Sequence, residues 1–148
     1  SIEVGQRLFI PGEKKVVSYA PSEGEDDFIW PAKGRVIFAF NSTVNNMVNN
    51  GLNIAPQGSL DVVAARKGKV VFCSEKFGEF GKTIIIDHGD GFSTVYARNS
   101  EILVKPGEFV NRGALIAKMG SGERDKETYL HFEIRKRGVP QNPYFYLP

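Results

Sequence analysis

From residue 28 onward the hydrophobic pattern reads strand, turn, strand, with two-residue alternation at 35–40 and 128–135 and β-branched runs between. Over residues 35–40, Val36, Phe38 and Phe40 fall on one side and Ile37 and Ala39 on the other. Residues 60–65, 68–74 and 82–87 are β-branched runs separated by glycine-containing turns. His88-Gly89-Asp90-Gly91 carries the Asp-Gly pair of a tight hairpin, which makes 92–97 the return strand. Residues 101–104 precede the turn signal Pro106-Gly107, and 109–113 lead into a strand at 115–119. A last strand is expected at 128–135, with Leu130, Phe132 and Ile134 on one face and Tyr129, His131 and Glu133 on the other. No 3.6-residue stripe runs longer than two turns. The pattern predicts an all-β, antiparallel sheet or sandwich.

Two stretches break the rhythm. Residues 41–53 hold six asparagines and read as a long loop. Residues 120–127 are densely charged and read as a flexible loop before the last strand. Loops of this length in a compact β domain usually carry function.

Composition narrows the picture. The chain has 148 residues, 41% of them hydrophobic, which suits one domain with a real core. Val and Ile outnumber Ala and Leu, in keeping with strands. A net charge of +2 argues against a nucleic-acid protein. No apolar run reaches the ~18–20 residues of a membrane span, and the single Cys73 excludes an internal disulfide. Cys73 reads as a buried small apolar thiol, and Arg66, Lys67, Lys69 and residues 135–137 as solvated strand edges. His88 reads as a histidine hydrogen-bonded within its hairpin, and Tyr144-Phe145-Tyr146 as a tail packed onto the domain. Along the chain, residues 1–12 form a short apolar segment, 13–27 a polar linker with an acidic end, and 28–148 the compact domain.

Several segments resemble the LytM or lysostaphin-type zinc peptidases that cut peptidoglycan cross-links. They are Trp30-Pro31-Ala32-Lys33-Gly34-Arg35-Val36, Asn49-Asn50-Gly51-Leu52-Asn53-Ile54-Ala55, Gly68-Lys69-Val70-Val71 and Gly81 through His88. Tyr96-Ala97-Arg98-Asn99, Val104 through Val110, Ile116 through Gly120 and Tyr129-Leu130-His131-Phe132-Glu133 follow in the family's order. Residues 2–11 resemble the end of a LysM repeat. LysM, linker and LytM in tandem resemble exported amidase activators of the NlpD type.

The departures from the family's pattern decide the expected function. The family has His-x-Gly-x-Asp, Tyr-Ala-His and His-x-His; its zinc ligands are the His and Asp of the first and the second His of the last. Here those positions hold Asn49, Asn53 and His131, and the two proton-handling positions hold Arg98 and Tyr129. A neutral amide is a weak oxygen donor with no charge to offset the metal. Without a held metal, water keeps its bulk pKa. A guanidinium does not deprotonate, and a tyrosine with an ordinary pKa of about 10 is a poor base at pH 7. The resemblance therefore implies a non-enzyme with no cofactor and no metal, whose emptied groove is lined by Asn49, Asn53, Arg98, Tyr129 and His131. It implies a monomeric, extracytoplasmic protein of the periplasm or cell envelope. That protein activates a peptidoglycan amidase by binding a protein element in the groove, with Arg98 clamping a carboxylate. The rival readings are a non-catalytic peptidoglycan-binding module and an active zinc endopeptidase with unusual ligands.

Overall fold

The computed structural model describes Val16–Val17, residues 26–122 and residues 126–148. The LysM-like segment at 1–12, most of the 13–27 linker and the centre of the 120–127 loop lie outside these residues. Among the described residues thirteen strands follow in order: β1 (Val16–Val17), β2 (Gly34–Phe38), β3 (Thr43–Val44), β4 (Met47–Val48), β5 (Leu52–Pro56), β6 (Asp61–Val63) and β7 (Gly68–Ser74). Then come β8 (Lys82–Asp87), β9 (Phe92–Ile102), β10 (Phe109–Val110), β11 (Leu115–Met119), β12 (Leu130–Lys136) and β13 (Val139–Gln141). Two 3-10 turns lie at Gly78–Phe80 and Pro143–Phe145.

The main sheet runs β1-β2-β5-β12-β9-β8-β7-β10, with β11 joining β9 to β6 and β13 pairing β12. Every pairing in it is antiparallel. Its register sorts the side chains. Leu130 lies opposite Ile54, Phe132 opposite Tyr96, Tyr96 opposite Ile84, and Ile86 opposite Val70. All of these are fully buried and make one apolar face. Each such side chain contributes about 1.5–3 kcal/mol when removed from water. The opposite face carries Asn53, His131 and Ala97 in one row and Glu133, Val95 and Ile85 in the next. The candidate site is built on that face.

The strands expected at 68–74, 82–87 and 115–119 form with those bounds. Elsewhere the structure corrects the expectation. The stretch 41–53 is not all loop: β3 and β4 form a small hairpin inside it, and β5 begins at Leu52. Leu52 and Ile54 are fully buried and flank the polar Asn53. That alternation is too short to stand out beside six asparagines. Residues 101–104 are no separate strand, because β9 continues to Ile102. β13 follows β12 through Arg137 and Gly138, both with positive φ (50° and 82°), the conformation of a tight hairpin turn. Val16–Val17, within the stretch read as linker, pairs with β2 at the sheet edge.

The ends of residues 28–148 are pinned to each other. The indole nitrogen of Trp30 donates to the Pro148 carbonyl at 3.0 Å, and Tyr144 packs edge-on against Trp30. His88 links two loops, with Nδ1 at 2.8 Å from the Lys67 carbonyl and Nε2 at 2.9 Å from Thr94 Oγ1. The thiol of Cys73 is half-buried, reaches toward the Val104 carbonyl, and is raised in pKa chiefly by burial.

Candidate functional site

β12 is the spine of the site. Side chains two apart on a strand share a face, so Tyr129, His131, Glu133 and Arg135 line up on the side away from the core. His131 sits between two polar partners: Nδ1 lies 2.7 Å from Asn53 Oδ1 on β5, and Nε2 lies 2.7 Å from Glu133 Oε2. The other Glu133 oxygen accepts from Arg135 Nε at 2.6 Å, and Arg135 continues to the Gly138 carbonyl. Burial pushes the Glu133 carboxyl up, but the hydrogen bonds and charge of His131 and Arg135 outweigh it and hold the group below its usual value. Glu133 is thus an ionised acceptor, which makes Nε2 of His131 the donor in their contact. The Phe80 ring, brought in by the β7–β8 loop, lies 5.0 Å from the imidazole and tilted by 33°.

Asn49 does different work. Its amide nitrogen donates to the Phe38 and Ala39 carbonyls at 3.4 and 3.2 Å, and its side-chain oxygen accepts from Gly51 N at 3.3 Å. Its backbone bonds Asn41 and Ser42. Asn49 closes the base of the loop carrying β3 and β4. Gly51 lets β5 approach β12, since a Cβ there would lie 2.1 Å from the Phe132 carbonyl oxygen.

Arg98 reaches the site through a fault in β9. Ile84 pairs with Tyr96, but Lys82 pairs with Asn99, so two residues of β8 face three of β9. Strict alternation would put Arg98 with Thr94 and Tyr96 on the core face. The extra residue, with Arg98 at φ 68°, turns its side chain toward Tyr129 instead. A left-handed backbone costs about 1–2 kcal/mol for a residue with a Cβ. The Arg98 guanidinium lies 3.6 Å over the Tyr129 ring centroid and donates from Nη2 to the Glu127 carbonyl at 2.7 Å. Gly122 closes over it, with room for no Cβ beside Nη1.

Of the five expected positions, the structure joins Asn53 to His131 and stacks Arg98 on Tyr129. It turns the Asn49 side chain to backbone instead. All five are less than a tenth exposed. Sequence reasoning passed over Phe80, Arg135, Asn99 and the role of Glu133. The alternation Tyr129, His131, Glu133, Arg135 was the available signal for two of them. Nothing local marks Phe80 as a neighbour of His131.

Comparison with known proteins gives the family. Residues 47–143 match Peptidase family M23. The "Lipoprotein NlpD/LppB homolog" of Pseudomonas aeruginosa is 40% identical over 119 residues, covering 80% of this chain and 39% of the relative. The "Murein hydrolase activator NlpD" of Escherichia coli is 38% identical over 119 residues, covering 80% of this chain and 31% of the relative. The chain thus spans less than half the length of these curated relatives. A zinc-containing peptidase from Vibrio cholerae superposes with a TM-score of 0.73 at 28% identity, covering 84% of this chain and 41% of that one.

Proposed function

This chain belongs to peptidase family M23, and we propose that it is a non-catalytic member that activates a peptidoglycan amidase by binding a protein element at the site described above. The observation that carries this reading is the 2.7 Å contact between Asn53 and His131. In the active peptidases these two positions hold zinc between them, each donor about 2.0–2.2 Å from the metal. Here Nδ1 of His131 and Oδ1 of Asn53 face each other directly, closer together than two ligands of one tetrahedral zinc ion stand. The third position, Asn49, spends both ends of its amide on backbone groups. These residues do not fit a zinc ion, and no step of the function runs through one.

The relatives supply the other support, since one is named a murein hydrolase activator and another a lipoprotein. On that basis the protein works outside the cytoplasm, at the cell envelope. No helix among the described residues is long and apolar enough to cross a membrane.

The stacked pair of Arg98 and Tyr129 is the contact point. Nη2 of Arg98 now bonds a neutral carbonyl, that of Glu127. A partner's carboxylate is the stronger acceptor, because charge-assisted bonds are roughly twice as strong as neutral ones and can be bidentate. The Tyr129 ring fixes the plane of the fork and adds flat contact area.

The test is release of soluble fragments from labelled sacculi by the amidases of the same cell, with and without this chain. The chain alone should release nothing, and it should stimulate at least one amidase. Arg98→Glu should abolish stimulation while the circular dichroism spectrum stays unchanged. Hydrolysis by the purified chain, or full stimulation by Arg98→Glu, would overturn the reading. Binding to sacculi with no effect on any amidase would favour a peptidoglycan-binding module instead.

A further inference from the structure

We propose that Asn99 is the positioning residue that holds the bulge of β9 and thereby aims Arg98 at Tyr129. The inference rests on the reading above only for its functional consequence; the geometry stands apart from it. An extra residue in a strand interrupts the ladder and leaves backbone groups to be satisfied locally. The Asn99 side chain lies at that interruption. Its amide nitrogen donates to the Tyr96 carbonyl on its own strand and to the Lys82 carbonyl on β8, both at 3.0 Å. These two carbonyls bracket the fault, since Tyr96 and Asn99 are the last and first regular partners around it. One NH2 group thus ties the two sides together.

The chemistry explains why asparagine stands there. Two carbonyl acceptors need two hydrogens on one atom, which a carboxamide supplies. A carboxylate is acceptor-only, and an alkyl side chain gives nothing. Asn99 is 5% exposed, so water does not readily replace the lost donors. Its neighbours fit the same purpose. Gly120 N donates to the Arg98 carbonyl at 2.8 Å, and a Cβ on Gly120 would lie 2.6 Å from Ser100 N. Without the tie, the bulge loses its fixed geometry and Arg98 is no longer aimed at Tyr129.

The experiment uses the whole 148-residue chain and reads Arg98 by NMR. Protons of a side chain held 3.6 Å over an aromatic ring shift upfield, and Tyr129→Leu defines the unshifted value. In Asn99→Ala and in the near-isosteric Asn99→Asp, the Arg98 signals should move to that unshifted value while those of Thr94 and Tyr96 stay in place. Amidase stimulation should fall as far as in Arg98→Ala. Retention of the upfield shift in both variants overturns the proposal. Loss of the shift with stimulation intact upholds the positioning role and overturns the assignment of Arg98 as the partner contact. Should neither variant fold, the parent chain still decides. The two Nδ2 protons of Asn99 should exchange with solvent far more slowly than a free carboxamide, and exchange at the free rate overturns the proposal.

Discussion

Glu133 is where the site can be perturbed most cleanly, because one atom changes and the shape does not. The carboxylate is fully buried and holds His131 at 2.7 Å and Arg135 at 2.6 Å. Glu133→Gln keeps one carbonyl acceptor and turns the other oxygen into a donor, which must face either Nε2 of His131 or Nε of Arg135. One donor–donor contact replaces a charge-assisted bond. Removing one partner of a buried pair costs about 3–5 kcal/mol. The Arg135 side chain is 30% exposed and recovers part of its loss from water, so a cost of about 2–3 kcal/mol is expected. Urea unfolding at pH 7 should therefore show a midpoint lower by about 1 M or more. The pH dependence fixes the cause. A carboxyl whose folded pKa lies below its ordinary 4.5 stabilises the fold above that value, and the contribution is lost as pH falls through the folded pKa. The gap between wild type and Glu133→Gln should thus be full at pH 7 and shrink below about pH 4.5. A cost under about 0.5 kcal/mol, or a gap that persists unchanged in acid, would refute the argument.

Three further outcomes are expected. Burial, the largest effect, with Arg66 lowers the pKa of His88 against the pull of the Lys67 carbonyl, Asp90 and Asp87. Stability from the neutral imidazole is therefore present above its ordinary 6.5 and lost as pH falls toward the folded value; thermal melts of wild type and His88→Gln, showing the same slope between pH 7 and 5.5, would contradict this. Gly51→Ala should cost about 2–4 kcal/mol through clash with the Phe132 carbonyl oxygen, and an unchanged urea midpoint would count against the close approach. Restoring the family's ligands in the pair Asn49→His and Asn53→Asp should create no hydrolase, because Arg98 and Tyr129 still occupy the proton-handling positions; release of fragments from sacculi by this double variant with added zinc would sink that expectation.

The sequence made the sheet legible where β-branched runs stand between glycine-containing turns, as in β7 and β8. It failed where chemistry masked the period. Leu52 and Ile54 are core residues of a central strand, but the polar Asn53 between them and the asparagines before them read as loop. The bulge in β9 left no mark at all. Arg98 looks like the next alternating position after Tyr96, and only the pairing on β8 shows that one residue is extra. Motif order still brought four of the five candidate positions into two direct contacts, because register fixes Asn53 beside His131 and Ala97 opposite it. The part that escaped was the shell: Phe80 comes from a distant hairpin loop, and Asn99 acts on backbone carbonyls that no side-chain pattern encodes.

On the function proposed above, the amides at positions 49 and 53 are understood by what they do in this fold. A charged ligand set without its metal would leave a carboxylate and two imidazoles facing one another, a costly cluster to keep from water. Asparagine at 53 removes that charge and closes directly on His131, while His131 turns its other nitrogen to Glu133. Asparagine at 49 gives its donors to the Phe38 and Ala39 carbonyls and so holds the base of the loop that carries β3 and β4. Both amides serve as structural hydrogen-bonding groups. A site of this kind keeps its shape without a metal, and shape is what a protein partner requires.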